Sequence, residues 1–188
     1  ESAGNLSLKG NASTRTILSQ VDDETGLPED SISLGNAAAM HYYDTAHRVT
    51  YTREARVAGP RGDLTGDVVH LFLEPDNKTL NRIVASGAAQ LLRPGQLVSG
   101  DRLVYHDADG RYEMSGEPVR IIEEVKEEES EDEAPSELPE DEILSTRCRE
   151  TTGRTLTFFI TADDVSVDGQ AEARTETTSG ECPELMPR

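Results

Sequence analysis

The side chains of this sequence that could do chemistry are a cysteine pair, Cys148 and Cys182, four histidines and many carboxylates. The cysteines bracket the last hairpin that the sequence predicts. Reduced thiols, a disulfide and half of a metal site all fit two cysteines. No Cys-x-x-Cys or Cys/His cluster supports a metal. A disulfide is therefore the favoured reading, and it implies an oxidising compartment. His41, His47, His70 and His106 follow no ligand spacing. Asp107-Ala108-Asp109-Gly110 opens like a calcium-binding loop. It lacks the further ligand before glycine and the distal Glu, so a hairpin turn accounts for it. Arg61-Gly62-Asp63 matches an integrin-binding tripeptide, but a glycine-centred turn between strands uses the same residues. Asn5-Leu6-Ser7, Asn11-Ala12-Ser13 and Asn77-Lys78-Thr79 are glycosylation sequons, polar turns in a bacterial protein and usable sites in a secreted eukaryotic one. There is no nucleophile elbow, phosphate-cradling loop or His-Glu-x-x-His, and no carboxylate pair stands apart from its turn. These residues predict a protein that is not an enzyme and holds no metal or cofactor.

The elements that position these residues are short strands in a recurring phrase. Val98 to Tyr105, His106 to Gly110 and Arg111 to Gly116 read as strand, turn and strand, closed by glycine. Looser forms run from Met40 to Tyr51 and from Leu156 to Gly169, and Leu6 to Ala12 matches the end of the last. Leu64-Thr65-Gly66-Asp67 and Val98-Ser99-Gly100-Asp101 are one phrase 34 residues apart, answered by Ala85-Ser86-Gly87 and Met114-Ser115-Gly116. Apolar residues alternate at Val49 and Tyr51, Ala55 and Val57, Val69, Leu71 and Leu73, and Tyr112 and Met114. That period of two marks half-buried strands. Turns are predicted at Gly59-Pro60-Arg61-Gly62, Pro75-Asp76-Asn77, Arg93-Pro94-Gly95 and Asp109-Gly110. A unit this small cannot bury its apolar face alone, so it must stack on its neighbours in an elongated β structure. No segment has helical periodicity.

Composition bounds the rest. Of 188 residues, 35% are hydrophobic and none is Trp, which suits a thin β layer better than an α/β core. The formal charge is −19, and eleven of those negative charges fall within Glu123 to Glu142, leaving eight over the other 168 residues. That acidic segment contains Pro135 and Pro139 and no aromatic residue, and it is expected to be a disordered loop. No basic cluster is visible along the chain, which argues against nucleic acid as a partner. The chain opens on Glu1 inside what reads as a repeat, without a signal or membrane anchor, as an excised fragment would. The expected division is 1–30 as the end of a preceding repeat and a turn region, then 31–122 as the repeats. The acidic loop follows at 123–142, and 143–188 is a C-terminal hairpin continuing the sheet.

The serial phrases resemble the OstA-like family of lipopolysaccharide-transport proteins, the periplasmic LptA and LptC type. Gly-Asp-Arg-Leu-Val-Tyr at 100–105 carries the resemblance, with Asp-Gly-Arg-Tyr-Glu-Met-Ser-Gly at 109–116, Pro118 to Ile121 and Leu-Thr-Gly-Asp at 64–67. The run from Cys148 to Leu156 is similar to C-terminal segments of that family. The acidic insertion at 123–142 departs from the family pattern. The resemblance implies an all-β, V-shaped antiparallel jellyroll open at both ends. It implies a noncatalytic bridge that carries lipid A acyl chains in an apolar groove across the periplasm. The partners implied are lipopolysaccharide and other Lpt components paired through edge strands, with head-to-tail homo-oligomers as a further form. On this fold, alternation gives Val49, Tyr51, Val57, Val69, Leu71, Leu73, Ile83, Leu91, Leu103, Tyr105, Tyr112, Met114, Val119, Ile121 and Phe159 as inward, lipid-facing candidates. Two other classes fit the repeats. A structural or adhesive β-solenoid would fill its interior with its own side chains. A carbohydrate-active β-helix enzyme would gather acids on one sheet face.

Overall fold

The computed structural model describes residues 4–21, 28–60, 62–125, 145–159, 165–168, 172–179 and Cys182. Alternating apolar residues between Pro- and Gly-bearing turns give strands throughout, and the described residues contain no helix. The strands are β1 (Leu6–Val21), β2 (Pro28–Tyr43), β3 (Arg48–Gly59), β4 (Gly62–Leu73) and β5 (Leu80–Arg93). They continue as β6 (Gln96–His106), β7 (Arg111–Val125), β8 (Ser145–Phe159), β9 (Val165–Asp168) and β10 (Glu172–Ser179). One ten-stranded antiparallel sheet holds them all, each strand beside its neighbour in sequence from β1 to β8. The four predicted turns fall at the hairpin ends. In the β4–β5 turn, the amides of Lys78 and Thr79 each donate to Asp76 Oδ1 at 2.8 Å. Those bonds, with the Thr79 hydroxyl leading, hold the Asp76 carboxyl down at about 2.

A single sheet can bury one face against itself only by folding, and the long strands are broken near their middles to allow this. The pairing register shifts between Lys9 and Ala12, Asn36 and Ala39, Thr52 and Ala55, Thr65 and Val68, Ser86 and Ala89, Ser99 and Arg102, and Ser115 and Val119. These bulges line up across the sheet as a crease. Alternate strands cross it with two consecutive left-handed residues. These are Gly10 and Asn11 (φ 78° and 52°), Arg53 and Glu54 (63° and 52°), and Gly87 and Ala88 (75° and 48°). In β7 the same place is taken by the cis Glu117–Pro118 bond. The glycines of the recurring phrases, which the sequence reading places at strand ends, lie at this crease inside the strands. The Gly10-Asn11 pair likewise creases one long β1. Gly100 shows the steric reason. A Cβ there would stand 2.9 Å from Met114 Cγ and from the Ser115 carbonyl oxygen.

The crease divides the sheet into two half-sheets. The first holds 6–9, 39–43, 48–52, 68–73, 80–86, 102–106, 111–115 and 155–159 with β9. The second holds 12–21, 28–36, 55–59, 62–65, 89–93, 96–100, 119–125 and 145–153 with β10. The final edge is thus shared, β9 extending one half and β10 the other. β7 reaches Val125, so the first acids of the acidic segment are in the sheet, and Arg149 Nε donates to Glu123 Oε1 at 2.7 Å. The expected disordered loop lies, from Lys126 on, outside the described residues. A disulfide joins Cys148 on β8 to Cys182, 34 positions away.

The Gly100→Ala variant should lose about 1–3 kcal/mol of stability by overpacking the crease. Gly4→Ala, where an added Cβ meets nothing within 4 Å, should stay within about 0.5 kcal/mol of the parent in urea denaturation. Replacing both Cys148 and Cys182 with Ser should cost about 3–4 kcal/mol in the same assay under oxidising conditions and nothing more under reductant.

Candidate functional site

The two half-sheets face one another across a single apolar interior. Its rows follow from the register. On the first half-sheet one row runs Met40, Tyr51, Val69, Ala85, Leu103, Met114 and Leu156. Beside it lie Tyr42, Val49, Leu71, Ile83, Tyr105 and Tyr112. The second half-sheet answers with Val57, Leu64, Leu91, Val98 and Ile121. Small residues line its crease, Ala55 against Gly66 and Ala89 against Gly100. All fourteen candidates from Val49 to Ile121 are buried in this one cluster. Phe159 ends β8 opposite Arg111, and its side chain lies outside the described residues.

Alternation missed Leu18, Met40, Leu64, Leu80, Val98 and Leu156, which belong to the same cluster. Leu64 and Val98 open the repeated phrases, and that equivalence could have found them. The small core residues Ala37, Ala55, Ala85 and Ala89 carry no such signal, because alanine is as common outside cores as in them.

Two features close the interior at its β1 end. Tyr51, on the first half-sheet, crosses to the second, and its hydroxyl meets Thr14 Oγ1 at 2.6 Å. The ring can lie there because residue 35 is glycine; a Cβ at Gly35 would fall within the Tyr51 ring. Burial pushes the Tyr51 hydroxyl above its ordinary value. Farther out, the Ser19 amide donates to the Lys78 carbonyl at 2.9 Å, so β1 reaches over to the β4–β5 turn of the opposite half.

Toward β5–β7 the interior is less full. A cavity of about 30 Å³ lies between Val57, Gly59, Pro60, Leu64 and Leu91 on one side and Ile83, Tyr105 and Tyr112 on the other. The rings of Tyr105 and Tyr112 are 4.6 Å apart. The Tyr105 hydroxyl donates to Asp107 at 3.0 Å, as the Tyr42 hydroxyl does to Asp44 at 3.0 Å. Each tyrosine therefore turns an apolar ring inward and a bonded hydroxyl to the rim. Arg93, from the β5–β6 turn, stands 5.9 Å from the Tyr112 ring centre and spans the mouth between the halves. Such a site can bind an apolar chain and hold a polar head outside. Among the described residues no three His, Cys, Asp or Glu side chains converge.

An open, creased antiparallel sheet with an apolar interior is also the architecture of a solved periplasmic transport protein. The chain matches the crystal structure of LptH, the LptA homologous periplasmic component of the conserved lipopolysaccharide transport device from Pseudomonas aeruginosa. The TM-score is 0.52 over 78% of this chain and 93% of LptH, at 12% sequence identity. The chain has the LptA-like fold. No protein-family model matches it, and no curated protein does. At 12% identity the likeness rests on how the backbone folds and not on shared side chains. The LptA-like sheet here is a single all-β, antiparallel meander whose crease replaces the closure of a barrel.

Tyr51→Phe should cost about 1 kcal/mol, the worth of one buried hydrogen bond, while Tyr51→Ala should cost about 3–5 kcal/mol. A raised folded-state value means that above pH 10.0 the unfolded chain releases the Tyr51 proton first. Stability should therefore fall as pH rises past 10.0, less steeply in Tyr51→Phe, as followed by denaturant titrations at each pH.

Proposed function

We propose that this chain is a noncatalytic lipopolysaccharide-transport module of the periplasm, taking lipid A acyl chains between its half-sheets and pairing its edge strands with neighbouring modules. The observation that carries the proposal is the unbroken apolar interior, which runs in register across β3 to β7 within an LptA-like fold. Burial of each acyl CH₂ is worth about 0.8 kcal/mol, so a trough of this kind lets tails cross water unexposed. The fourteen buried candidates are the residues expected to touch the acyl chains, with Leu64, Val98 and Leu156 added to them. LptH, which shares the fold, is a component of a lipopolysaccharide transport device.

The edges support the second half of the reading. Among the described strands β1, sixteen residues long, pairs with β2 alone, while the β4–β5 turn meets its outer edge at Ser19. A long edge strand held by its outer side at one point is an aggregation hazard unless adding a strand is its purpose. The other edge is formed by β9 and β10. Lpt components or further copies of this chain, joined head to tail, are the partners this geometry suits.

A second reading has its own observation. Among the described residues the interior is largely filled by its own side chains, and the cavity beside Tyr105 and Tyr112, about 30 Å³, is small. A module that only connects its neighbours would look the same. Photo-crosslinkers at Leu71, Tyr105 and Met114, with a control at the outward Gln90, separate the two. Saturable labelling by lipopolysaccharide from the three inward sites alone is the expected result. A folded protein that labels from none of them is a connector, and its partner strands become the subject.

A further inference from the structure

We infer that the outward face of the first half-sheet is a binding platform for an anionic saccharide, such as the phosphorylated sugar headgroup of an amphiphile whose tails enter the interior. The choice of that amphiphile rests on the proposed lipopolysaccharide function; the platform itself rests on register and charge.

The outermost row of this face runs Tyr43, Arg48, Phe72, Arg82, His106 and Arg111, one residue per strand from β2 to β7. Rings and cations alternate along its first four places. Arg48 lies over the Tyr43 ring at 4.7 Å and Arg82 over the Phe72 ring at 4.4 Å. A guanidinium stacked in this way keeps its edge N–H groups free to grip phosphate or carboxylate. Neither Arg48 nor Arg82 has a carboxylate partner among the described residues, and Arg48 Nε is shielded from water with nothing to bond. Rows nearer the crease add the cations Lys9 and Arg102 and the imidazoles of His41 and His70. Of the carboxylate residues in these rows, Glu113 is engaged by Arg111, and Asp168 stands on β9 at the far end of the row that holds Arg102.

The opposite outward face, on the second half-sheet, is built differently. There Arg56 is bonded to Asp63 and Arg120 to Glu150. Among the described residues, Arg48 and Arg82 thus stand stacked on rings without a carboxylate, whereas Arg111 in the same row is engaged by Asp109 and Glu113. His70 feels the result. Burial first, and then the charge of Arg48, holds its imidazole below the ordinary value of 6.5.

Position selects the ligand. The row flanks the rim turns, since Tyr43 and Arg48 border one hairpin end and His106 and Arg111 another. A headgroup whose tails lie behind Tyr105 and Tyr112 has only to pass that rim to meet it. Flat rings beside guanidinium groups suit the apolar face of a sugar carrying an anionic substituent, and successive strands at about 4.8 Å offer repeated contacts along it.

The test uses lipid-free probes, so that it does not depend on the interior. Mannopentaose phosphate, neutral mannopentaose and tripolyphosphate are titrated while the backbone amide signals of Arg48, Phe72 and Arg82 are followed by NMR. Saturable binding of the phosphorylated sugar is expected, tighter than either other probe and weakened by salt. The Arg48→Gln, Arg82→Gln double variant should weaken it at least tenfold. Arg82→Gln alone, at an exposed position, should weaken it severalfold, and Arg56→Gln should leave it unchanged. Equal affinity for tripolyphosphate would reveal a charge-only anion site and overturn the inference. Unchanged binding in the double variant would overturn it too, as would binding to phosphatidylglycerol vesicles with none to the sugar. Sugar binding together with absent interior crosslinking would sink the conduit reading and leave the platform standing.

Discussion

A sheet of antiparallel strands has two faces, and among the described residues no helix covers either of them. Folding the sheet along one crease solves the problem with backbone alone. The requirement is severe, because every strand from β1 to β8 must bend at the same level. The register shifts, the paired left-handed residues and the small side chains at Ala55, Gly66, Ala89 and Gly100 all serve it. Everything else in the molecule is positioned by that line. It decides which residues face the interior, which form the rim and which look outward.

The crease also explains how much of the molecule was legible. Period two survives on each side of a bulge, so Val69, Leu71 and Leu73 or Tyr112 and Met114 are assigned inward from sequence without error. The turns were visible because Pro75-Asp76-Asn77 and Asp109-Gly110 have the right chemistry in themselves. What sequence could not distinguish is a glycine that ends a strand from one that bends it. Gly66, Gly87, Gly100 and Gly116 have the same local company in either role, and only long-range pairing separates the two. Tyr51 was found as an inward residue, but its crossing to Thr14 depends on Gly35, sixteen positions away and meaningful only once β2 and β3 are paired.

The outward cations were illegible for a related reason. Arg48, Arg82 and Arg111 stand on different hairpins, and nothing along the chain calls them a cluster. Strand pairing brings them into one row, with Phe72 between the first two. A search for basic runs is a search for local density. A sheet builds density across strands, one residue at a time, and in an acidic chain such a face is hidden twice over.

The filled interior follows from the same architecture. Two half-sheets joined along a crease close until their side chains meet, since an unfilled apolar trough would leave tens of contacts unmade. On the proposed reading, a lipid chain entering it would exchange side-chain contacts for acyl contacts of the same kind, at little net cost in dispersion, and the burial of its own surface would remain as the driving term. Opening is easiest where the halves are least tied. At the β1 end Tyr51 and the Ser19–Lys78 bond hold them together. Around Tyr105 and Tyr112, where the cavity already lies, the contacts across the mouth are rings, a proline and Arg93.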